Sequence, residues 1–251
     1  MLRTQLKTLL GLTAFLFGCA LLPAQKMEMH SSSPEAIALM EEALDNMGHD
    51  MQLFGENVDA AVEADPDMLI ANFFAMSNPD EDKEAARPYV ERMLAYDGPM
   101  SAGEKIFAEM ATHFDEDDYN PMMTIPQLAE AHPEDARMYL LAGVAHMYSE
   151  QPAKAVPFLK KAIDMGPMLG AYNMLGYAYM TMGQMEDAGA TFEAYVAAAP
   201  DHHNPYDSMG DYYMAMEDYA AAAEAFEKAV AINPDATYSA EKAKQAREKA
   251  K

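Results

Sequence analysis

The amino-acid sequence predicts an all-α protein, built as an α-solenoid of stacked helix-turn-helix hairpins with a C-terminal capping helix. Prolines recur at steps of about 34 residues, a period that is typical of helical repeat architectures. Apolar residues between them are spaced three and four apart, which places them on one face of each helix. Other landmark residues also return at the same distances from each proline. The recurring prolines are Pro66, Pro99, Pro133, Pro167, Pro200 and Pro234.

Two adjacent stretches, 169–202 and 203–236, agree in kind at all their landmarks. In the first the landmarks are Tyr172, Leu175, Gly176, Tyr179, Ala188, Phe192 and Pro200, and in the second they are Tyr206, Met209, Gly210, Tyr213, Ala222, Phe226 and Pro234. This order of an aromatic, a Leu-Gly pair, a Tyr, a later Ala and Phe, and a closing Pro resembles the tetratricopeptide repeat. The stretch 136–168 follows the same frame, with Ala142 and His146 where Leu and Tyr are usual.

The resemblance extends to about six repeats over residues 33–236. The stretches 33–66, 67–99 and 100–135 follow the pattern less closely than the three C-terminal ones. The last of them fits only at its ends, so it is either a degraded repeat or an insertion where the solenoid changes direction.

Glycine recurs inside the predicted helices at Gly176 and Gly210, although glycine is unfavourable there by about 1 kcal/mol relative to alanine. Its recurrence at one repeat position indicates close approach of two helix backbones, and we expect Ala188 and Ala222 to face these glycines. A proline ends each second helix, because it lacks the backbone N–H that would continue the helix.

The predicted array has recognisable ends. Ser33 is positioned to cap a first helix that has Pro34 at its first position. A final helix over residues 237–251 starts at Thr237 or Ser239 and has a basic, polar outer side suited to a cap. Its Lys249 and Lys251 complement the negative end of the helix dipole.

The N-terminus predicts export. Arg3 and Lys7 precede an apolar run from Leu9 to Leu22 that is too short to span a bilayer comfortably, so residues 1–24 read as a Sec-type signal peptide cleaved after Ala24. Residues 25–32 would follow as a flexible segment of a periplasmic or extracellular protein. The alternative is a membrane-anchored lipoprotein with a lipid on Cys19. Ordinary cleavage removes this single cysteine and with it disulfides, thiolate metal sites and cysteine nucleophiles.

The composition restricts the partners. The chain has 41 acidic and 17 basic residues and a formal net charge of −24, so its surface repels nucleic acid and anionic lipid. It would suit a basic partner, although acidity of this kind is also a common source of solubility. No segment after the leader is apolar and long enough for a transmembrane span.

Catalytic motifs are missing from the sequence: it has no phosphate-binding glycine loop, nucleophile elbow or zinc-protease helix. We therefore predict that the chain is not an enzyme and needs no cofactor. Glu109 and His113, one helical turn apart, could share a metal but are better interpreted as a surface pair. The acidic run 115–118 lacks the glycine and the final glutamate of a calcium loop, so we interpret it as an exposed turn.

The 24 methionines allow two interpretations. Methionine replaces leucine in helix seams, as Met209 does at a Leu landmark. Alternatively, methionine and histidine clusters bind Cu(I) or Ag(I), for which thioether sulfur is a suitable ligand. The candidate ligands are Met27, Met29 and His30, with a second cluster at Met47, His49 and Met51.

The resemblance also implies a ligand groove, because the first helix of each tetratricopeptide hairpin lines a concave face. The positions that it implies are Arg137, Leu140, Val144, Met147 and Tyr148 in one repeat, Asn173, Tyr177, Met180 and Thr181 in the next, and Asn204, Asp207, Asp211 and Met214 in the last. A row of methionines at one offset would suit an apolar peptide or helix, and Asp207 and Asp211 would attract its basic end. The alternative is that these are ordinary exposed helix positions.

These observations predict an exported scaffold for protein–protein or protein–peptide interaction through its concave face, acting in a cell-envelope assembly. The alternative function is a periplasmic Cu(I)- or Ag(I)-binding protein that uses the methionine and histidine clusters.

Overall fold

The structure is a computed structural model that describes residues 26–77, 83–116, 119–166 and 168–251. Within these ranges it contains thirteen α-helices, one short 3-10 helix and no strand, which confirms the predicted all-α helical repeat fold. The predicted leader, including Cys19, lies outside the described residues. None of the helices in the described ranges combines the length and the apolar character that crossing a bilayer requires.

The helices follow one another as successive antiparallel pairs in most of the chain. In five pairs the two helices pack against each other: α1/α2, α3/α4, α7/α8, α9/α10 and α11/α12. The helix α13 packs on α12 as the predicted cap. The bounds are α1 Pro34–Asn46, α2 Met51–Ala64, α3 Leu69–Met76, α4 Lys83–Ala95, α5 Ala102–Thr112, α6 Gln127–Ala131, α7 Ala136–Tyr148, α8 Pro152–Met165, α9 Leu169–Thr181, α10 Met185–Ala198, α11 Asn204–Ala215, α12 Tyr219–Ile232 and α13 Thr237–Lys249.

The local signals at the start of the array act as predicted. The Ser33 hydroxyl accepts a hydrogen bond from the Ala36 backbone N–H, and Pro34 occupies the first turn of α1.

In the three C-terminal hairpins the turn between the helices contains one residue with positive φ, at equivalent repeat positions. These residues are Glu150, Gly183 and Glu217. The turn geometry is therefore fixed by the repeat even where the residue is not glycine.

Close approach of the two helices in a hairpin occurs where the glycine landmarks predict it, but the residues opposite the glycines differ from the expectation. A Cβ atom placed on Gly176 would collide with the Phe192 ring, and one on Gly210 would collide with the Phe226 ring. The small residues Ala188 and Ala222 are buried elsewhere in the same seam. The large side chain at the Phe landmark thus fills the space left by the missing side chain at the Gly landmark.

Residues 100–135 do not form a regular hairpin. Their first half is the helix α5, which begins with a complete capping box between Ser101 and Glu104. In their second half a 3-10 helix at Pro121–Met123 and the five-residue α6 replace a single long helix. Pro121 and Pro126 interrupt the helical hydrogen bonds there, which explains why this stretch matches the repeat pattern only at its ends.

The close approach in the hairpins gives a stability prediction. Gly176→Leu should lower the free energy of unfolding by about 1–3 kcal/mol or more, because Phe192 and the surrounding core must move to admit the new side chain. Urea denaturation followed by circular dichroism measures this change. The control is Gly55→Leu on α2, where a Cβ atom meets nothing within 4 Å and stability should not fall. Equal loss in both variants would contradict the packing described.

Candidate interaction surface

The thirteen groove positions implied by the sequence lie on α7, α9 and α11, the first helices of the three C-terminal hairpins. The structure divides them into positions that are buried, positions that bond to another part of the chain, and positions that remain partly exposed.

Arg137 and Leu140 are buried, so neither side chain is exposed to a ligand in this structure. The Arg137 guanidinium is held by Asp135, with Nε 2.9 Å from Oδ1 and Nη2 2.6 Å from Oδ2. Burial by itself would raise the pKa of the Asp135 carboxyl, but the hydrogen bonds and positive charge of Arg137 lower it below its usual value. Arg137 is therefore the counter-charge of a buried helix cap.

Asp207 and Asp211 are also unavailable to the basic end of a ligand, because α13 already supplies a cation. The Lys242 ammonium lies 2.8 Å from a carboxylate oxygen of each residue. Ser239 donates a second hydrogen bond to Asp207, and the Tyr177 hydroxyl donates one to Asp211 at 2.8 Å. The capping helix thus pairs both acids that the sequence assigned to ligand binding with a single cation, which leaves one net negative charge in the group.

Asn173 and Asn204 each bind the backbone of a distant segment. The Nδ2 atom of Asn173 donates to the Gly48 carbonyl at 2.9 Å, and that of Asn204 donates to the His49 carbonyl at 2.6 Å. Ser208 donates to the Oδ1 atom of Asn173 at 2.8 Å and so fixes the orientation of that amide. Two implied ligand positions are therefore occupied by the turn between α1 and α2.

The remaining positions form a partly exposed surface near the C-terminal ends of α7, α9 and α11. Met147, Met180 and Met214, here called the methionine row, occupy equivalent positions in three successive repeats and are partly buried. Tyr148, next to the first of them, is 77% exposed. The other positions of this surface are Val144 and Thr181, and the exposed Met216 in the turn after α11 adds a residue that the repeat offsets do not single out.

The predicted flexible segment is packed and bonded over its described part, residues 26–32, which corrects that expectation. Met27 and Met29 are buried, and the Met27 backbone N–H donates to Asp135 at 2.7 Å. Glu104, itself buried, accepts from the His30 backbone N–H and lies 2.7 Å from its ring Nδ1 atom. Both thioether side chains of the first Cu(I) candidate therefore lie inside the protein.

The second methionine–histidine cluster is divided by the fold. Met47 and His49 are buried, His49 Nδ1 lies 2.6 Å from the Tyr195 hydroxyl, and only Met51 is exposed. Across the residues that the structure describes, no group of three or more His, Cys, Asp and Glu side chains is arranged to hold a metal ion.

The two acidic features set aside in the sequence have local partners. His113 Nδ1 lies 3.0 Å from the carboxylate of Glu116, which follows it in the chain, and not from the predicted partner Glu109, which precedes it. Asp115 is exposed and pairs with Arg87 at 2.9 Å, while residues 117 and 118 lie outside the described ranges.

Three buried carboxylates hold the N-terminal segment. Asp135 and Glu104 bind Met27 and His30, and Asp65 accepts hydrogen bonds from Ser31 and Ser32. The hydrogen bonds that Asp65 accepts outweigh its burial and lower its pKa below the usual value. These acids have a structural role, and the sequence does not show that they hold the N-terminal segment, although Glu104 and Asp135 occupy helix-capping positions.

The role assigned to Arg137 is testable through stability. Arg137→Met should lower the free energy of unfolding by about 3–5 kcal/mol, because it leaves the Asp135 carboxylate buried without a counter-charge. The control is Arg247→Met, which breaks the exposed pair with Glu227 and should change stability little. Chemical denaturation of both variants measures the difference. An unchanged midpoint for Arg137→Met would show that Arg137 is not the counter-charge that Asp135 requires.

Comparison with known proteins identifies the repeats. Two sequence models of the tetratricopeptide repeat match residues 140–203 and 204–236, together less than half of the chain. No curated protein sequence is significantly similar to this chain. Solved structures are similar at low sequence identity, and those with a TM-score above 0.5 support the fold.

Three of the similar structures each match more than two thirds of this chain, and two of them have a TM-score above 0.5. TTC0263, a thermophilic TPR protein in Thermus thermophilus, has a TM-score of 0.52 and 16% identity, with 84% of this chain and 98% of that chain covered. In the APC/C hetero-tetramer Cut9-Hcn1 the values are 0.51 and 14%, with 84% and 46% covered. YrrB, a TPR protein with an unusual peptide-binding site, has a TM-score of 0.46 and 22% identity, with 73% and 96% covered. Residues 140–236 thus match tetratricopeptide repeats, and the described residues as a whole have an all-α helical repeat fold.

Proposed function

We propose that this protein is an exported scaffold that binds a protein or peptide partner through the methionine row and the exposed Tyr148 beside it. The observation that carries the proposal is the position of Met147, Met180 and Met214, which are partly exposed at the same place in three successive repeats. Because the repeats stack, the three side chains follow one line across the first helices, the concave side in tetratricopeptide repeats. Such a line fits an extended peptide or one face of a helix.

The chemistry of this surface favours an apolar ligand segment. Methionine side chains are unbranched and polarizable, so they adapt to different apolar shapes, and Tyr148 offers a rigid ring with a polar tip. Asp207 and Asp211 share the Lys242 ammonium, so this group of three side chains keeps a net charge of only −1. The net charge of −24 still favours a partner that is basic outside its apolar segment.

The proposed function is binding without a chemical step. The sequence contains no catalytic motif, and the buried carboxylates Asp65, Glu104 and Asp135 all serve the N-terminal segment. The proposed place of action is the cell envelope, where the partner belongs to the same assembly.

A site-specific cross-linking experiment tests the surface. A photoreactive phenylalanine analogue in place of Tyr148 should yield a discrete adduct in cells, whereas the same analogue in place of Leu94, an equally apolar exposed residue on the second helix α4, should not. Adducts from both positions, or from position 94 alone, would contradict the proposed surface.

Binding of the partner identified in this way can then be measured with purified proteins. Combining Met147→Glu, Met180→Glu and Met214→Glu should weaken binding by at least about 10-fold, because charges replace the apolar contacts. The matched control combines Ala194→Glu, Ala197→Glu and Ala198→Glu, which places the same three charges at exposed positions on α10. Equal affinity of the triple variant and the parent in calorimetry would show that the row is not the site.

We also propose that residues 1–24 direct export, on the strength of Arg3, Lys7 and the apolar run that follows them. In a Gram-negative host the envelope form should begin at Gln25, as intact-mass measurement would show, and Leu12→Arg should retain the uncleaved precursor in the cytoplasm. Cys19→Ser distinguishes the two processing routes. Unchanged cleavage supports a periplasmic or extracellular protein, whereas blocked cleavage supports a lipid anchor on Cys19.

A further inference from the structure

The turn between α1 and α2, residues 47–50, contacts a part of the chain more than 100 residues away. A Cβ atom on Gly170, in the first turn of α9, would collide with the Met47 carbonyl oxygen, and one on Gly48 would lie 3.3 Å from the Gly170 Cα. Gly48 also has a φ of +74°, a conformation that side chains other than glycine rarely adopt. The two backbones are therefore in direct contact, and each contributes a glycine to it.

The polar contacts of this turn resemble those that hold a peptide ligand. Asn173 and Asn204 bind the consecutive carbonyls of Gly48 and His49, at 2.9 and 2.6 Å. Side-chain amides that bind backbone carbonyls recognise a polypeptide without regard to its side chains. Both asparagines belong to the first helices, where the family resemblance implies ligand contacts.

A cluster of three histidines closes the same contact. His49 is buried with Nδ1 2.6 Å from the Tyr195 hydroxyl of α10, and its ring centroid is 4.0 Å from that of His202. The His202 ring centroid is in turn 4.5 Å from that of His203, at the start of α11. Burial and the neighbouring rings both disfavour a charged imidazole, so the pKa values of His49 and His203 are lowered.

The charged groups around His49 act in both directions. Asp50, on the same turn, lies 3.3 Å from His202 Nε2, and its charge favours protonation of His49. Glu56 of α2 lines the adjoining cleft together with His49 and His203. Asp207 of α11 acts on His203 in the same sense. From α9 the turn meets Gly170 and Asn173, which do not titrate. Burial, followed by the charge of His202, outweighs these acids and lowers the pKa of His49 from 6.5 to about 4.

We propose that α9, α10 and α11 form a polypeptide-binding site whose ligand is the chain's own α1–α2 turn, and that His49, His202 and His203 make the site release this turn on acidification. The proposal adds a second site to the scaffold and holds whether or not the methionine row binds a partner.

The direction of the pH dependence follows from His49. Its pKa is lower in the bound turn than in a released one, so the released state takes up more protons between the two values. Binding of the turn is therefore independent of His49 protonation above about pH 6.5 and weakens as the pH falls toward 4. The largest effect on the release equilibrium is on the order of 100-fold. The pKa of Asp50 is also lowered, so this carboxylate stays charged across the same range.

A distance measurement across the contact tests the proposal on the full chain. Spin labels are placed on Glu56→Cys and Asp235→Cys, two exposed positions beside the cleft, in a chain that also carries Cys19→Ser. Pulsed electron resonance should give one short distance at about pH 7.5 and a growing longer component below about pH 6.5. Far-ultraviolet circular dichroism should stay constant over the same pH range, since the helices themselves remain folded.

Two variants separate the histidine cluster from other acid effects. His49→Gln removes the titrating group but retains an acceptor for Tyr195, so it should suppress the pH-dependent component. The matched control His146→Gln removes a histidine whose pKa is also lowered but which packs on Phe158 of α8, away from the turn, and should leave the response intact. If both variants suppress the response equally, the cluster is not its cause.

A third variant tests the binding site itself. Asn173→Ala combined with Asn204→Ala should produce the longer distance already at neutral pH, because the two carbonyl contacts are lost. An unchanged short distance in this variant would overturn the proposed site. A distance that is independent of pH in the parent, or one that lengthens only as helicity is lost, would overturn the proposed release.

Discussion

The close approach of the two helices in each C-terminal hairpin is the contact on which the rest of the array depends. In each hairpin a glycine of the first helix faces a large side chain of the second, as Gly176 faces Phe192 and Gly143 faces Leu159. A repeated approach distance gives each hairpin the same shape, so equivalent positions of successive repeats come into line. The methionine row exists for this reason, although Met147, Met180 and Met214 do not themselves form the seam.

The sequence predicts those features that depend on neighbours within about one repeat. The helical hairpins, the Ser33 cap and the capping helix follow from periodicity and local hydrogen bonding, and the structure contains each of them. The predicted seam also forms, but the expected partner of Gly176 is a small residue. In the structure the larger Phe192 takes that place, because a missing side chain on one helix leaves room for a bulky one on the other.

Features that depend on distant parts of the chain are not predictable in this way. An offset within a repeat does not show whether another segment covers that position, which is why Arg137 and Leu140 are buried although they have groove offsets. Likewise Asp65 has no local signal that separates it from solvated acids, and the helix-capping signals of Glu104 and Asp135 do not show that these residues also bind the N-terminal segment. Gly170 is the exception, since a glycine in a helix outside the landmark position indicates a close backbone contact.

The contact of the α1–α2 turn with α9 and α11 has a consequence for how the length of this protein evolves. An open solenoid gains or loses repeats readily, because each repeat touches only its neighbours and a duplication leaves every existing interface in place. Here, a hairpin inserted between Asp50 and Leu169 would displace Gly48 from Asn173 and His49 from Asn204 by the rise and rotation of a whole repeat. A duplication in that interval would therefore break these contacts, whereas one beyond α11 would leave them in place.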